Sequence, residues 1–265
     1  MTDPMPDTHL PDAYKPREIA ALVEQSGVAK AALPAAQMFV LAMLAGAFIG
    51  FGAAAYTMVM TGTDLGFGPA RYLGGAVFSL GLVLVVVGGA ELFTGNALMV
   101  MAAVDRKITL AALLRNWAVV WCGNLVGALG LALVFSLTGL YAGPMGQTAV
   151  KIAEAKVALS PLAELSRAAL CNALVCLAVW LSFSSRGTTG KILAILLPIP
   201  AFVLLGLEHS VANMFLIPQA WAAGSALTSA AAAQNLALST IGNIIGGAGG
   251  VALAYRFAYL GKPVS

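Results

Sequence analysis

Seven stretches of this 265-residue chain pass without a charged side chain: 31–63, 72–90, 92–104, 116–150, 168–185, 192–207 and 210–255. A helix that spans a bilayer needs about 20 mostly apolar residues, so the pattern predicts several membrane-crossing helices. Span 1 is read at about Ala35 to Met60 and is rich in Gly and Ala, which favours close helix contact. The second region covers 72–104, interrupted only by Glu91, and Asp105-Arg106-Lys107 closes it. Its middle, Gly88-Gly89-Ala90-Glu91-Leu92-Phe93-Thr94-Gly95-Asn96, is poor ground for continuous helix. Span 3 begins after Arg115, a polar loop fills about 140–167, and span 4 runs from Ala168 to Phe183. Span 5 lies around Pro198-Ile199-Pro200 to Pro218 and is also expected to break, near Gly206. Residues 219–235 are rich in Ala and Ser, and span 6 covers about Leu236 to Tyr255.

Residues 1–30 hold five acids, three basic residues and four prolines, with no basic segment leading at once into an apolar core. They read as a cytoplasmic tail in which Ile19 to Val28 forms a short amphipathic helix, not as a cleaved signal. The expected organisation is this tail, a channel domain over 31–256 with one repeat at about 31–139 and another at about 160–256, and a cytoplasmic tail at 257–265. Composition agrees with a polytopic membrane protein: 60% hydrophobic residues, 9% charged ones and a mean hydropathy of +0.90. With both termini inside, ten basic residues flank the inner loops, against four outside (Arg71, Lys151, Lys156, Arg167). That bias obeys the positive-inside rule, and the opposite orientation would invert it. The net charge of +3 is spread over loop ends, which excludes a nucleic-acid footprint. Cys122, Cys171 and Cys176 lie inside apolar spans without a paired spacing, so neither a disulfide framework nor a metal site is expected.

Against this background Glu208-His209 stands out, two ionisable residues inside an apolar span whose placement in lipid is costly and marks a functional site. Glu91 and Asn96 are echoed by Glu208 and Asn213, 117 residues later. Gly123-Asn124-Leu125-Val126-Gly127 is echoed by Gly242-Asn243-Ile244-Ile245-Gly246, 119 residues later. Both echoes pair span n with span n+3, and three spans per half is odd, so the second half threads the membrane upside down. Inverted repeats with helices broken at matching places point to a midplane binding or permeation site. The Gly-Asn-x-x-Gly pair reads first as a helix-packing motif. The two glutamates read as scaffold at the breaks, with backbone N–H groups freed there as the partners they satisfy. His209 has no counterpart, because Leu92 holds its place in the first half.

Glu-Leu-Phe-Thr at 91–94, Cys-Asn-x-Leu-Val-Cys-Leu-Ala-Val-Trp at 171–180, Glu-His-Ser-Val-Ala-Asn-Met at 208–214 and Gly-Asn-Ile-Ile-Gly-Gly at 242–247 resemble the formate/nitrite transporter family. Within it, Leu-Gly-Gly-x-x-Phe-Ser-Leu-Gly-Leu at 73–82 and Met-Phe-Leu-Ile-Pro at 214–218 look most like formate channels. The resemblance implies an all-α, aquaporin-like bundle of six helices with helices 2 and 5 broken, assembled as a homopentamer with one pore per protomer. It implies His209 as the central pore residue with Thr94 and Asn213 as hydrogen-bonding neighbours. It places Phe78, Leu82, Leu92, Phe93 and Phe202 at apolar constrictions, and Lys156 at the outer vestibule with Asn172 nearby. Gly95-Asn96 departs from the family pattern in the loop between the broken halves.

The expected function is a multi-pass inner-membrane channel for a small monovalent anion, formate first and nitrite or hydrosulfide as alternatives, with proton-linked passage at His209 and no cofactor. An intramembrane enzyme using Glu208 and His209 as acid and base lacks a matched nucleophile or metal cluster. A water or glycerol pore lacks the paired Asn-Pro-Ala signatures.

Overall fold

A computed structural model describes residues 13–261, and all but short loops among them are helical. Residues 1–12 and 262–265 of the two expected tails lie outside the described residues. Helix α1 (Pro16–Ala31) lies against one face of the bundle, which is called the near face below. It extends the expected 19–28 segment at both ends, with Pro16 in its first turn and Lys30 in its last. Three spans follow: α2 (Ala35–Val59), then α3 (Phe67–Gly88) continued after a break by a 3₁₀ turn (Gly95–Met99) and α4 (Val100–Val104), then α5 (Leu110–Ser136).

The second half repeats this plan. Helix α7 (Pro161–Ser184) matches α2. The broken crossing is α8 (Thr188–Ile195), α9 (Pro198–Leu204) and, after the break, α10 (Ser210–Ala222). The last crossing is α11 (Ser229–Ile244), a wide π-helical stretch over Ile245–Leu253, and α12 (Ala254–Leu260). The expected polar loop at 140–167 contains a further helix, α6 (Pro144–Val157). Several spans are longer than the charge-free runs suggested, because Arg115, Glu164 and Arg167 sit inside α5 and α7 near their ends. Charged heads near a helix end reach the interface and need not terminate the helix.

Glycine sets the helix spacing. A Cβ on Gly127 would lie 1.9 Å from the Met43 carbonyl oxygen, and one on Gly246 would lie 1.8 Å from that of Ala169. No side chain fits at either place, so α2 rides directly on α5, and α7 on the last crossing. The two helix breaks are built alike. Gly89 (φ 81°) ends α3 and Gly206 (φ 67°) follows α9, both in the left-handed region that glycine enters without cost. Beyond each glycine the chain runs extended, through 90–92 and 207–209, before helix resumes.

Large apolar side chains such as Leu133, Leu137 and Leu170 are exposed on the outside of the bundle. Together with the five helices long and apolar enough to cross a membrane, they mark a lipid-facing surface. Cys122 belongs to that exposed surface, while Cys171 and Cys176 are buried as expected. At the near face Arg256 of α12 pairs with Asp105 at the end of α4, and Lys107 pairs with Glu24 of α1. The guanidinium beside Asp105 holds its carboxyl below the usual range, whereas burial raises that of Glu24. These contacts fasten the surface helix and the last helix to the foot of the broken crossing.

Candidate functional site

The break in the second half is held by one carboxamide. Asn243 donates from Nδ2 to the carbonyls of Ala168 (2.8 Å) and Glu208 (2.9 Å) and accepts at Oδ1 from the Ser210 N–H (2.9 Å). Asn124 does the same in the first half, with the carbonyls of Ala42 (2.7 Å) and Glu91 (2.9 Å) and the Phe93 N–H (2.9 Å). Backbone groups freed inside a membrane must find a partner, and these two asparagines supply it. The Gly-Asn-x-x-Gly motif is therefore two devices in one. Its glycines pack the helices, as expected, while its asparagine splints the break.

The glutamates do not serve the freed backbone N–H groups; their carboxylates engage side chains. Glu208 accepts from Lys156 at both oxygens (3.0 and 3.1 Å) and from Asn213 Nδ2 (2.8 Å), and Asn213 also donates to Asn235 (2.8 Å). Glu91 accepts from Lys30 (2.5 Å) and from Asn96 (2.7 Å), which also donates to Asn116 (2.9 Å). Each half thus carries a chain of lysine, glutamate and two asparagines. Sequence reading missed Lys30, Asn116 and Asn235, although their spacing was available. Asn116 and Asn235 lie 119 residues apart, like the Gly-Asn-x-x-Gly pair, and Lys30 and Lys156 lie 126 apart. The halves differ at one buried position of this network. Glu164 stands 126 residues after Met38, and one of its carboxyl oxygens, like Asn235 Nδ2, has no hydrogen-bond partner among the described residues.

His209 sits at the end of the extended segment as the N-cap of α10, its Nδ1 accepting the Ala212 N–H (3.0 Å). An acceptor Nδ1 carries no proton, so the neutral ring has its N–H at Nε2, aimed 3.1 Å away at Thr94 Oγ1. Thr94 is fixed in turn through its carbonyl, which accepts from Asn172 Nδ2 (3.2 Å) and Cys176 Sγ (3.4 Å). Phe202 stacks on the imidazole at 5.9 Å and meets Phe78 edge-on at 5.5 Å.

Two cavities approach this point from opposite faces. The near cavity, about 470 Å³, reaches from Lys30 and Lys191 to Leu82, Glu91 and Leu92. The far cavity, about 320 Å³, reaches from Lys151 and Arg167 to Phe78, Phe202 and His209. Among the described residues none lines both. Phe78 and Leu82, one on each side, are a single turn apart on α3, so the closed partition between the cavities is roughly 6 Å thick.

Three expected positions differ. The Asn213 side chain bonds to Glu208 and Asn235, not to the imidazole; lying a full turn into α10, it meets His209 only through its backbone N–H, which donates to the His209 carbonyl. Phe93 lines neither cavity; its N–H is held by Asn124 and its ring packs edge-on against Trp117 at 6.2 Å. Asn172 lies in the core, not at the vestibule, tying the carbonyls of Thr94 and Asn243. Lys156 does line the far cavity, but as the partner of buried Glu208. Lys156→Ala is accordingly expected to cost about 3–5 kcal/mol, the penalty for stranding a buried charge. The double variant Lys156→Ala/Glu208→Gln should recover most of that loss in a thermal melt of the detergent-solubilised protein.

Residues 17–257 match the model of the family described as Formate/nitrite transporter. The chain is 45% identical over 249 residues to the uncharacterized transporter YrhG of Bacillus subtilis, covering 92% of this chain and 93% of that one. It is 40% identical over 272 residues to the formate channel FocA of Escherichia coli, covering 94% and 95%. Among solved structures, an FNT family ion channel superposes with a TM-score of 0.86 at 30% identity, over 91% of this chain and 98% of that one. A pentameric formate channel with formate bound superposes with a TM-score of 0.79 at 38% identity, over 85% and 98%. A family model that spans nearly the whole chain, relatives at 40 to 45% identity and the shared fold agree, and this chain belongs to the formate/nitrite transporter family.

Proposed function

We propose that the protein is a membrane channel for formate, pentameric like its formate-bound relative, with one pathway in each protomer. The observation that carries this reading is the pair of cavities separated by one apolar turn of α3, with His209 lining the far one beside that turn. Arg71, Lys151 and Arg167 of the far cavity gather the anion, while the Lys156 charge is met by Glu208. Between Phe78, Phe202, Leu82 and Leu92 there is no charge to replace its water. Moving an ionised carboxylate into such a dry region costs tens of kcal/mol in the idealised limit. Protonating a carboxylate of pKa about 3.5 at pH 7 costs only roughly 5 kcal/mol. The neutral acid is therefore the form that crosses.

Its proton comes from water or from His209, and the cap bond couples the second route to α10. A protonated imidazole carries N–H groups at both positions, so it gives up the bond from Ala212 and presents a donor to the anion. Transfer of the Nε2 proton to the anion leaves the Nδ1–H tautomer, and Nδ1 caps the helix again once that proton has passed to water and Nε2 has taken one up. Thr94 holds the ring in register throughout. In this reading the protein moves a solute without chemical change and is not an enzyme. The near face, with α1 and most of the flanking lysines and arginines, is cytoplasmic, and the membrane is the bacterial inner membrane. The channel domain of 31–256 and its two repeats are the unit of function.

The test is uptake of formate, nitrite and hydrosulfide, measured side by side in proteoliposomes. Formate is expected to move fastest and nitrite measurably. A preparation that moves hydrosulfide or nitrite but not formate would reassign the substrate.

A further inference from the structure

The two cavities differ in charge. Lys30, Lys191 and Glu91 line the near one, a balance of +1. Arg71, Lys151, Lys156, Arg167 and Glu208 line the far one, a balance of +3. Since Lys156 is spent on Glu208, the surplus resides on Arg71, Lys151 and Arg167. Among the described residues each arginine donates one N–H to the protein: Arg71 Nη1 reaches the Leu204 carbonyl and Arg167 Nη1 that of Gly206, both at 3.4 Å, and Arg71 also lies over the Phe67 ring at 4.7 Å. Those carbonyls belong to the broken end of α9, so the two guanidinium groups are anchored at the rim of the break with most of their five donors unspent. Lys151, exposed on α6, faces the same space.

Three cations around one cavity exceed what a single formate needs. The arrangement suits a compact anion of higher charge with several acceptor oxygens, which forked guanidinium donors bind well. We propose that the far cavity is a binding site for multivalent oxyanions of the sulfate or phosphate type, which occupy it and block the pathway. Such an ion cannot follow formate through the partition, because its solvation cost grows with the square of its charge and one proton does not neutralise it. The block is one-sided, since the near cavity has no comparable surplus. Its readout in flux rests on the channel reading above; binding itself does not.

Sulfate is the probe, with methanesulfonate as an oxyanion of similar shape and one charge. Formate uptake is measured in right-side-out and inverted membrane vesicles at fixed ionic strength, so that general screening is constant. Sulfate should inhibit from the far face only, and methanesulfonate at least about tenfold more weakly. In Arg71→Gln/Lys151→Gln/Arg167→Gln the half-blocking sulfate concentration should rise about tenfold, the product of three exposed charge contacts. Because the arginines also hold α9, Lys151→Gln and Lys151→Glu are run alongside, with a graded rise expected. Calorimetric titration of sulfate into the detergent-solubilised protein decides the site even if formate uptake is absent, a result that would sink the channel reading alone. Equal block by both anions, equal block from both faces, no heat of sulfate binding, or unaltered block in the variants would overturn the proposal. So would loss of the sulfate effect in vesicles containing phosphatidic acid, which would assign the cluster to lipid phosphate.

Discussion

His209→Asn should leave the fold standing and slow formate uptake roughly a hundredfold, the low end of what a positioned proton donor contributes. The choice of asparagine follows from the double duty of the imidazole. Nδ1 caps α10 through the Ala212 N–H, and Nε2 faces Thr94 across the partition. Asparagine is among the best N-caps, so it retains the first duty and abolishes the second. His209→Ala loses both and should in addition melt earlier, by about 1 kcal/mol for the missing cap. Uptake in the native protein should rise as external pH falls, and that dependence should flatten in both variants. Were formate to move at native rates with native pH dependence in His209→Asn and His209→Ala alike, the ring would be a structural cap and nothing more.

Asn243→Leu is expected to cost more stability than any change of similar size on the lipid face. The side chain is completely buried and serves three backbone groups at once, the Ser210 N–H and the carbonyls of Glu208 and Ala168. Leucine keeps the volume and leaves the Ser210 N–H and the Glu208 carbonyl without partners, while the Ala168 carbonyl keeps its bond inside α7. At 1–3 kcal/mol for each buried orphan the loss is roughly 2–6 kcal/mol, a large share of a whole domain's stability. Asn124→Leu should behave likewise through the Phe93 N–H and the carbonyls of Ala42 and Glu91. Thermal melts in detergent, with Leu133→Ala as the lipid-facing control, provide the measurement. If both asparagine variants melted within a degree or two of that control, the splint would not be what holds the breaks open.

The places where sequence reading succeeded share a physical cause. Lipid penalises charge and unsatisfied backbone heavily, so span positions, the breaks at Gly89 and Gly206 and the repeated motifs are written in composition and spacing. The misplacements arise where geometry depends on tertiary contact. Leu92 ends the open segment and Phe93 begins the turn into the next helix, a change of backbone direction invisible in sequence; Leu92 faces the near cavity and Phe93 goes to Trp117. Lys30 looked like a tail charge because nothing local ties it to Glu91, which lies 61 residues away in the chain. Helix α6 was hidden by its charges, since Lys151, Glu154 and Lys156 occur on a surface helix as readily as in a loop. The family resemblance pairs Asn213 with His209, whereas the Asn213 amide has a carboxylate closer at hand.

The thinness of the partition carries an electrical consequence. Once filled by water, the two cavities would bring each bulk solution to within one turn of helix of the other, and nearly all of the membrane potential would fall across the layer held by Phe78, Leu82, Leu92 and Phe202. A bare anion crossing that layer would work against or with the full voltage, about 2.3 kcal/mol for every 100 mV. The neutral acid crosses a steep field without feeling it. Solute that passes His209 with a proton would distribute according to the difference in pH across the membrane, and the cell's electrical polarisation would neither expel it nor hold it back.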